Sequence, residues 1–215
     1  MNNSKLSIGT VQFGMQYGVA NNLKKTDVRH VVKILDTAHK EGINALDTAP
    51  IYGNSEVVLG EALCGQNWNI TTKIPPCEED VVSASYLKTI KKSLCHSLLS
   101  LGVQIVDGLL VHNCDDLFKP GGRDIFFELK KLQSLGLIKK IGVSVYTKDQ
   151  ILRVLDNFDI DLIQLPINIL DQRLIHSGCL EKLKKKGVEI HARSVFLQGL
   201  LLMPLNMIPD YFSPI

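Results

Sequence analysis

Four side chains in this sequence have the types needed for proton chemistry at a polar bond: Asp47, Tyr52, Lys73 and His112. Asp47 follows the apolar run INAL, and Tyr52 comes five residues later in the same stretch, DTAPIYGNSE. Lys73 ends the run NITTK, and His112 lies in LLVHN. A phenol with a pKa of about 10 is a poor acid at neutral pH. An adjacent ammonium favours its ionised form and lowers that value. A carboxylate beside the ammonium keeps it charged and in place. An imidazole holds a carbonyl oxygen by hydrogen bond and helps move the proton. Together the four would stabilise a developing alkoxide and then protonate it, as reduction of a carbonyl by hydride requires. Singly, each has a structural reading: a turn-forming acid, a packed ring, an exposed strand end before IPP, a satisfied loop histidine. What separates the two readings is whether the fold brings all four together.

The elements that must position them alternate in texture. Strand-like runs are LSIGTVQFG (Leu6 to Gly14), INALDT (Ile43 to Thr48), NITTK (Asn69 to Lys73) and VDGLLVHN (Val106 to Asn113). IKKIGVSVY (Ile138 to Tyr146), DLIQLPIN (Asp161 to Asn168) and VEIHARSV (Val188 to Val195) follow. Helix-period segments lie between them. TDVRHVVKILDTAHKEG reads as a helix capped by Thr26, with Val28, Val31, Val32, Ile34, Leu35 and Ala38 as its apolar stripe and Gly42 as its stop. YLKTIKKSLCHSLLSLG repeats the pattern through Leu87, Ile90, Leu94, Leu98 and Leu101. NSEVVLGEAL reads as a shorter helix capped by Asn54 or Ser55.

Repeated strand and helix imply parallel pairing through right-handed crossovers. Asp47, Lys73, His112, Ser144, Gln164 and Arg193 each mark the end of one such strand. An open doubly wound sheet would gather ligands at one crevice. Polar residues at nearly every strand end fit a closed ring better, because a barrel brings all of them to one mouth. IGTVQFGMQYG lacks the G-x-G-x-x-G fingerprint, and no clean helix is expected at once after it. No linker or composition break divides the chain, so residues 1–215 read as a single α/β domain.

Composition is that of a soluble globular protein: 45% hydrophobic and 21% charged residues, with a formal net charge of +2. That charge argues against nucleic acid or a membrane surface as partner. The basic run KLKKKG reads as a solvated helix C-terminus. Five widely spread cysteines with no C-x-x-C pair, and no secretory leader, suit reduced thiols in the cytoplasm. Cys114 reads as a packing residue of its loop. His30, His39, His96, His176 and His191 have no metal-ligand spacing, so no metal site is expected.

INALDTAPIYGNSE, TTK and LLVHN, in that order, resemble the aldo-keto reductase superfamily, with further agreement in SLLSLGVQIVDGLLVH, LKKLQSLGLIKKIGVS and GTVQFG. The resemblance runs from about Leu6 to Leu202. It implies a (β/α)8 TIM-type barrel binding NADP(H), or in some members NAD(H), and reducing an aldehyde, ketone or sugar carbonyl. Tyr52 would be the general acid, Lys73 and Asp47 its tuning pair, and His112 the group orienting the carbonyl. Ser144 and Gln164 match two of the residues that hold the nicotinamide carboxamide in the family, while Val145 stands where the family has Asn. Arg193 stands where the family stacks a tyrosine on the nicotinamide ring, and the resemblance implies that its guanidinium takes over that stacking on the cofactor, with Ser194 retained beside it. Gly9 and Thr10 are assigned backbone contacts to the cofactor by position.

Seven strand-helix units are legible where the family has eight, in a typical barrel of about 250 residues. The expectation is therefore an incomplete barrel lacking its last strand and helix, the region that grips the cofactor's 2′-phosphate and adenine in the family. Such a chain would bind its cofactor weakly, and the competing reading is a catalytically impaired barrel remnant that binds metabolites or a partner. A Schiff-base lyase using Lys73 as nucleophile is a third.

Overall fold

The computed structural model describes residues 5–20, 25–63 and 65–212. Cys64, one of the five cysteines, lies outside them. Seven strands form one parallel sheet in sequential order: β1 (Ile8–Gly9), β2 (Ala45–Asp47), β3 (Asn69–Ile74), β4 (Val106–Val111), β5 (Ile138–Ser144), β6 (Leu162–Pro166) and β7 (Glu189–Arg193). The connections hold α1 (Val11–Gly14), α2 (Val28–Lys40), α3 (Ser55–Ala62), α4 (Ala84–Leu101), α5 (Arg123–Ser134), α6 (Lys148–Asn157), α7 (Arg173–His176) and α8 (Cys179–Lys185).

One hydrogen bond gives the curvature of this sheet. Gln164 on β6 donates from Nε2 to Asp47 Oδ1 on β2 at 2.7 Å. Four strand steps separate them, about 19 Å in a flat sheet. The sheet must therefore curl until its C-terminal strand ends face one another, giving the seven-stranded part of a (β/α)8 barrel. Among the described residues β1 and β7 each pair with one neighbour only, so they form the two free edges.

Burial on both faces explains the near-continuous apolar composition of the central strands. From Ile70 to Ile74 every residue of β3 is buried, and all five residues of β6 are. The helices cover the outer face with Leu35, Leu59, Ile90, Leu94, Ile125, Leu129, Ile151 and Leu183, all nearly solvent-free. Within α4 the stripe Ile90, Leu94, Leu98 and Leu101 is buried, with Leu87 half-buried beside it. Gly102 ends that helix in the left-handed conformation at φ +66°.

Local signals decided most helix ends, and three readings are corrected. The cap of α2 is Asp27, whose carboxylate accepts from Arg29 N at 2.8 Å, and not Thr26. Thr26 is instead tied by its own N–H to the Gln12 carbonyl at 2.8 Å. Within the α2 stripe Val31, Leu35 and Ala38 are buried, whereas Val28 and Ile34 are exposed. At the N-terminus the apolar texture of LSIGTVQFG is not one strand. Only Ile8 and Gly9 pair with β2, and one helical turn begins at once at Val11. Buried Phe13 on that turn draws the chain into the core.

Candidate active site

Each parallel strand brings its last residues to the rim, and the loops after them carry the remainder. Gly9 pairs with Asp47, the last residue of β2, and the Asp47 carbonyl accepts from both Thr10 N and Thr10 Oγ1 at 3.0 Å. Ser55 Oγ then donates to the Thr10 carbonyl at 2.9 Å, and Thr72 Oγ1 donates to Glu56 Oε1 at 2.7 Å. These buried bonds fix the start of α3, and so the loop bearing Tyr52, between β1 and β3. Gly14 completes the seat. A Cβ on it would lie 1.8 Å from the Tyr52 carbonyl oxygen, so only a glycine lets α1 approach this loop.

At the floor of the rim Lys73 is 2% exposed. Its ammonium donates to Asp47 Oδ1 at 2.8 Å and to the Thr48 carbonyl at 2.9 Å. It stands 5.0 Å from the centre of the Tyr52 ring. The Tyr52 and His112 rings meet edge-on, 6.4 Å apart at 86°. The fold thus brings Asp47, Tyr52, Lys73 and His112 to one place, lining a cavity of about 650 Å³.

Electrostatics at this floor differ from the expectation in one respect. Burial raises the Tyr52 pKa above its ordinary value, and it outweighs the downward pull of the Lys73 charge; Asp47 adds to the rise. The phenol is therefore held protonated in this state, not poised toward phenolate. His112 moves the other way. Burial first, and Lys73 second, lower its pKa to about 4, against an opposing effect of Asp47. A neutral imidazole at pH 7 has one N–H donor and one acceptor. Its Nδ1 is buried without a partner.

Ser144 and Gln164 are paired across β5 and β6, so their buried side chains share the cavity wall. Gln164 is committed through Nε2 to Asp47. Val145 is fully buried in the core cluster. Gly9 lines the cavity, as do Arg193 and Ser194. Thr10 does not: it is fully buried and its hydroxyl is spent on Asp47 and Ser55. Cys114 is 1% exposed, and burial followed by the Asp115 charge pushes its thiol up to about 12, which suits packing and not reactivity.

Two features were missed. The Arg193 guanidinium lies over the Tyr146 ring, 4.1 Å from its centre. Tyr146 falls two residues beyond the strand end Ser144, and extending the rim criterion into the βα loops would have found it. The segment after β7 also closes over the cavity, with Phe196, Gln198 and Gly199 among its lining. Ser194, Leu197 and Gln198 hold positive φ there (57°, 47° and 57°), conformations that side chains rarely adopt and that sequence does not signal outside glycine.

Such cavities fall in the size range of small-molecule and cofactor sites. Two buried polar atoms without partners, His112 Nδ1 and Arg193 Nη2, belong to residues that line it. Beside them stand an amide and a hydroxyl on adjacent strands. The set fits a polar ligand rich in hydrogen-bonding groups better than a hydrocarbon.

The model of the aldo/keto reductase family matches residues 5–208. The NADH-specific methylglyoxal reductase of Escherichia coli is 30% identical over 185 residues, covering 76% of this chain and 56% of that protein. The 6-dehydroglucose reductase of Novosphingobium aromaticivorans is 31% identical, with 70% and 52% covered. The chain thus spans about half the length of these curated relatives. Among solved structures, the aldo-keto reductase AKR11C1 of Bacillus halodurans in its holo form superposes with a TM-score of 0.75 at 25% identity, covering 94% of this chain and 66% of that one. With buried lysine, carboxylate, phenol and imidazole gathered at one barrel rim, and this family match across nearly its whole length, the chain belongs to the aldo/keto reductase family.

Proposed function

We propose that this chain carries the catalytic rim of an NAD(P)H-dependent reductase of aldehydes, ketones or sugar carbonyls. The observation that supports it most is the Lys73 ammonium, 2.8 Å from Asp47 Oδ1 and 5.0 Å from the centre of the Tyr52 ring on the floor of an open cavity. Ser144 and Gln164 are the residues proposed to hold the carboxamide of the nicotinamide, with Gly9 and Ser194 beside the rest of the cofactor. Bound there, a reduced nicotinamide supplies the hydride.

Tyr52 Oη donates its proton to the carbonyl oxygen as negative charge grows on it. The raised pKa of the resting phenol means it is protonated throughout the neutral range. Proton loss leaves a phenolate beside Lys73, and the ammonium stabilises that charge most strongly where water is excluded. Asp47 and the Thr48 carbonyl aim the ammonium. Neutral His112 offers a hydrogen bond to the carbonyl without competing as a proton donor. The four free cysteines among the described residues (Cys77, Cys95, Cys114, Cys179) support a reducing compartment such as the cytoplasm.

Fluorescence titration with NADPH and NADH, followed by turnover on an aldehyde panel, tests this. Tyr52→Phe is expected to lower kcat by roughly 10²–10⁴-fold while leaving cofactor Kd nearly unchanged. Turnover retained in that variant, or no binding of either cofactor at millimolar concentration, refutes the proposal.

A further inference from the structure

Arg193 ends β7 at the rim, and its charge is left unanswered. Nη1 makes one long bond to Ser194 Oγ at 3.4 Å, and Nη2 is buried with no partner. Asp47 is the sole carboxylate lining the cavity among the described residues, and it already accepts from Lys73 and Gln164. Lys73 and Asp47 cancel, His112 is neutral, and one permanent cation remains. The Tyr146 ring centre lies 4.1 Å from the guanidinium carbon, and Nη2 is left as a donor without an acceptor. A guanidinium so held presents paired donors in the geometry of a carboxylate or phosphate. Arg193 and His112 line the same cavity, so an anion held by the guanidinium shares that space with the imidazole.

We propose that Arg193, held against the Tyr146 ring, binds an oxyanion of the substrate, so that this site selects carbonyl compounds carrying a carboxylate or phosphate. The inference rests on the reductase reading of the same cavity and narrows its substrate class. The cofactor's pyrophosphate is the other source of such an oxyanion, and the test separates the two.

Calorimetric titration of the wild-type protein, alone and with saturating NADP+, which cannot reduce the aldehyde, compares 4-carboxybenzaldehyde with methyl 4-formylbenzoate. The acid is expected to bind on the order of tenfold or more tighter than its ester. Arg193→Met brings the two to parity, and Arg193→Lys retains part of the preference. Parity in the wild type, or a preference that survives Arg193→Met, overturns the proposal. Loss of NADP+ affinity in Arg193→Met with the acid preference intact assigns the guanidinium to the cofactor and overturns it as well. Where Arg193→Met does not fold, the wild-type preference and its weakening in Arg193→Lys decide. Reduction of both compounds is followed in parallel. A binding preference with no turnover of either sinks the reductase reading and leaves the anion site standing, whereas turnover of both without preference does the reverse.

Discussion

The ion pair at the floor of the cavity makes an asymmetric prediction about stability. Lys73 and Asp47 are joined at 2.8 Å, but their side chains are 1% and 21% exposed respectively. Removing one partner from a buried pair costs about 3–5 kcal/mol, because the survivor is left charged without compensation. Lys73→Met leaves Asp47, which water at the rim reaches and which keeps the Gln164 amide. Its cost belongs at the lower end, about 3 kcal/mol. Asp47→Leu leaves an ammonium almost out of water, with only the Thr48 carbonyl as acceptor, and orphans Gln164 Nε2. That cost belongs at the upper end, about 5 kcal/mol. In the double variant both charges are gone. Its cost should fall below the sum of the two by about 2–3 kcal/mol, the coupling expected of residues in direct contact. Urea denaturation followed by circular dichroism at pH 7 measures all three. In thermal scans, 3 kcal/mol corresponds to a Tm loss of roughly 6–12 °C for a chain of this size. Equal or reversed costs for the two single variants, or a cycle additive within about 0.5 kcal/mol, would show that the pair is not the buried unit described.

Two further perturbations read other parts of the site. His112 has its pKa lowered to about 4, so between that value and the ordinary value of about 6.5 the unfolded chain binds the proton and the native one does not. Stability therefore drops as pH falls through this window, by about 1–2 kcal/mol between pH 7 and pH 4.5 once solvent screening of the part-exposed ring is allowed for. His112→Gln should flatten that part of the profile in urea melts, and an unchanged slope contradicts the burial of the ring. Gly14→Ala places a methyl 1.8 Å from the Tyr52 carbonyl oxygen and 2.4 Å from Ser55 N. Overpacking of this kind costs about 1–3 kcal/mol, and the displaced Tyr52 loop should lower kcat before it raises KM; wild-type kinetics in that variant would mean that α1 does not seat the loop.

The rim was legible in the sequence because parallel topology turns chain order into spatial order. A polar residue ending an apolar run must sit at one end of its strand, and all strands of a curled parallel sheet end on the same side. That rule needs no tertiary information, so Asp47, Lys73, Ser144, Gln164 and Arg193 were identified together from their positions alone. What it cannot supply is direction away from the strand. Thr10 follows Gly9 directly, yet its side chain turns down onto Asp47 and Ser55, and Tyr146 reaches the cavity from the loop two residues past the strand end Ser144. The first strand failed for a related reason: an apolar texture does not distinguish two paired residues followed by a helical turn from one long strand, and buried Phe13 settled the matter through packing.

The phenol shows the same limit in electrostatic form. The sequence reading supposes an ammonium beside Tyr52 and so expects a lowered pKa, since opposite charges favour ionisation. The fold adds a desolvation cost that the sequence does not encode at any one position, because it is built from the walls that β1 to β4 and their loops close around the ring. That cost dominates, and the direction reverses. The consequence bears on mechanism: the ammonium is not there to hold a resting phenolate. In the proposed mechanism its value appears only when the proton leaves, when the same dry surroundings that opposed ionisation strengthen its attraction for the new charge. A site arranged in this way stabilises the state reached during proton transfer more than the state before it, which is the condition for rate enhancement.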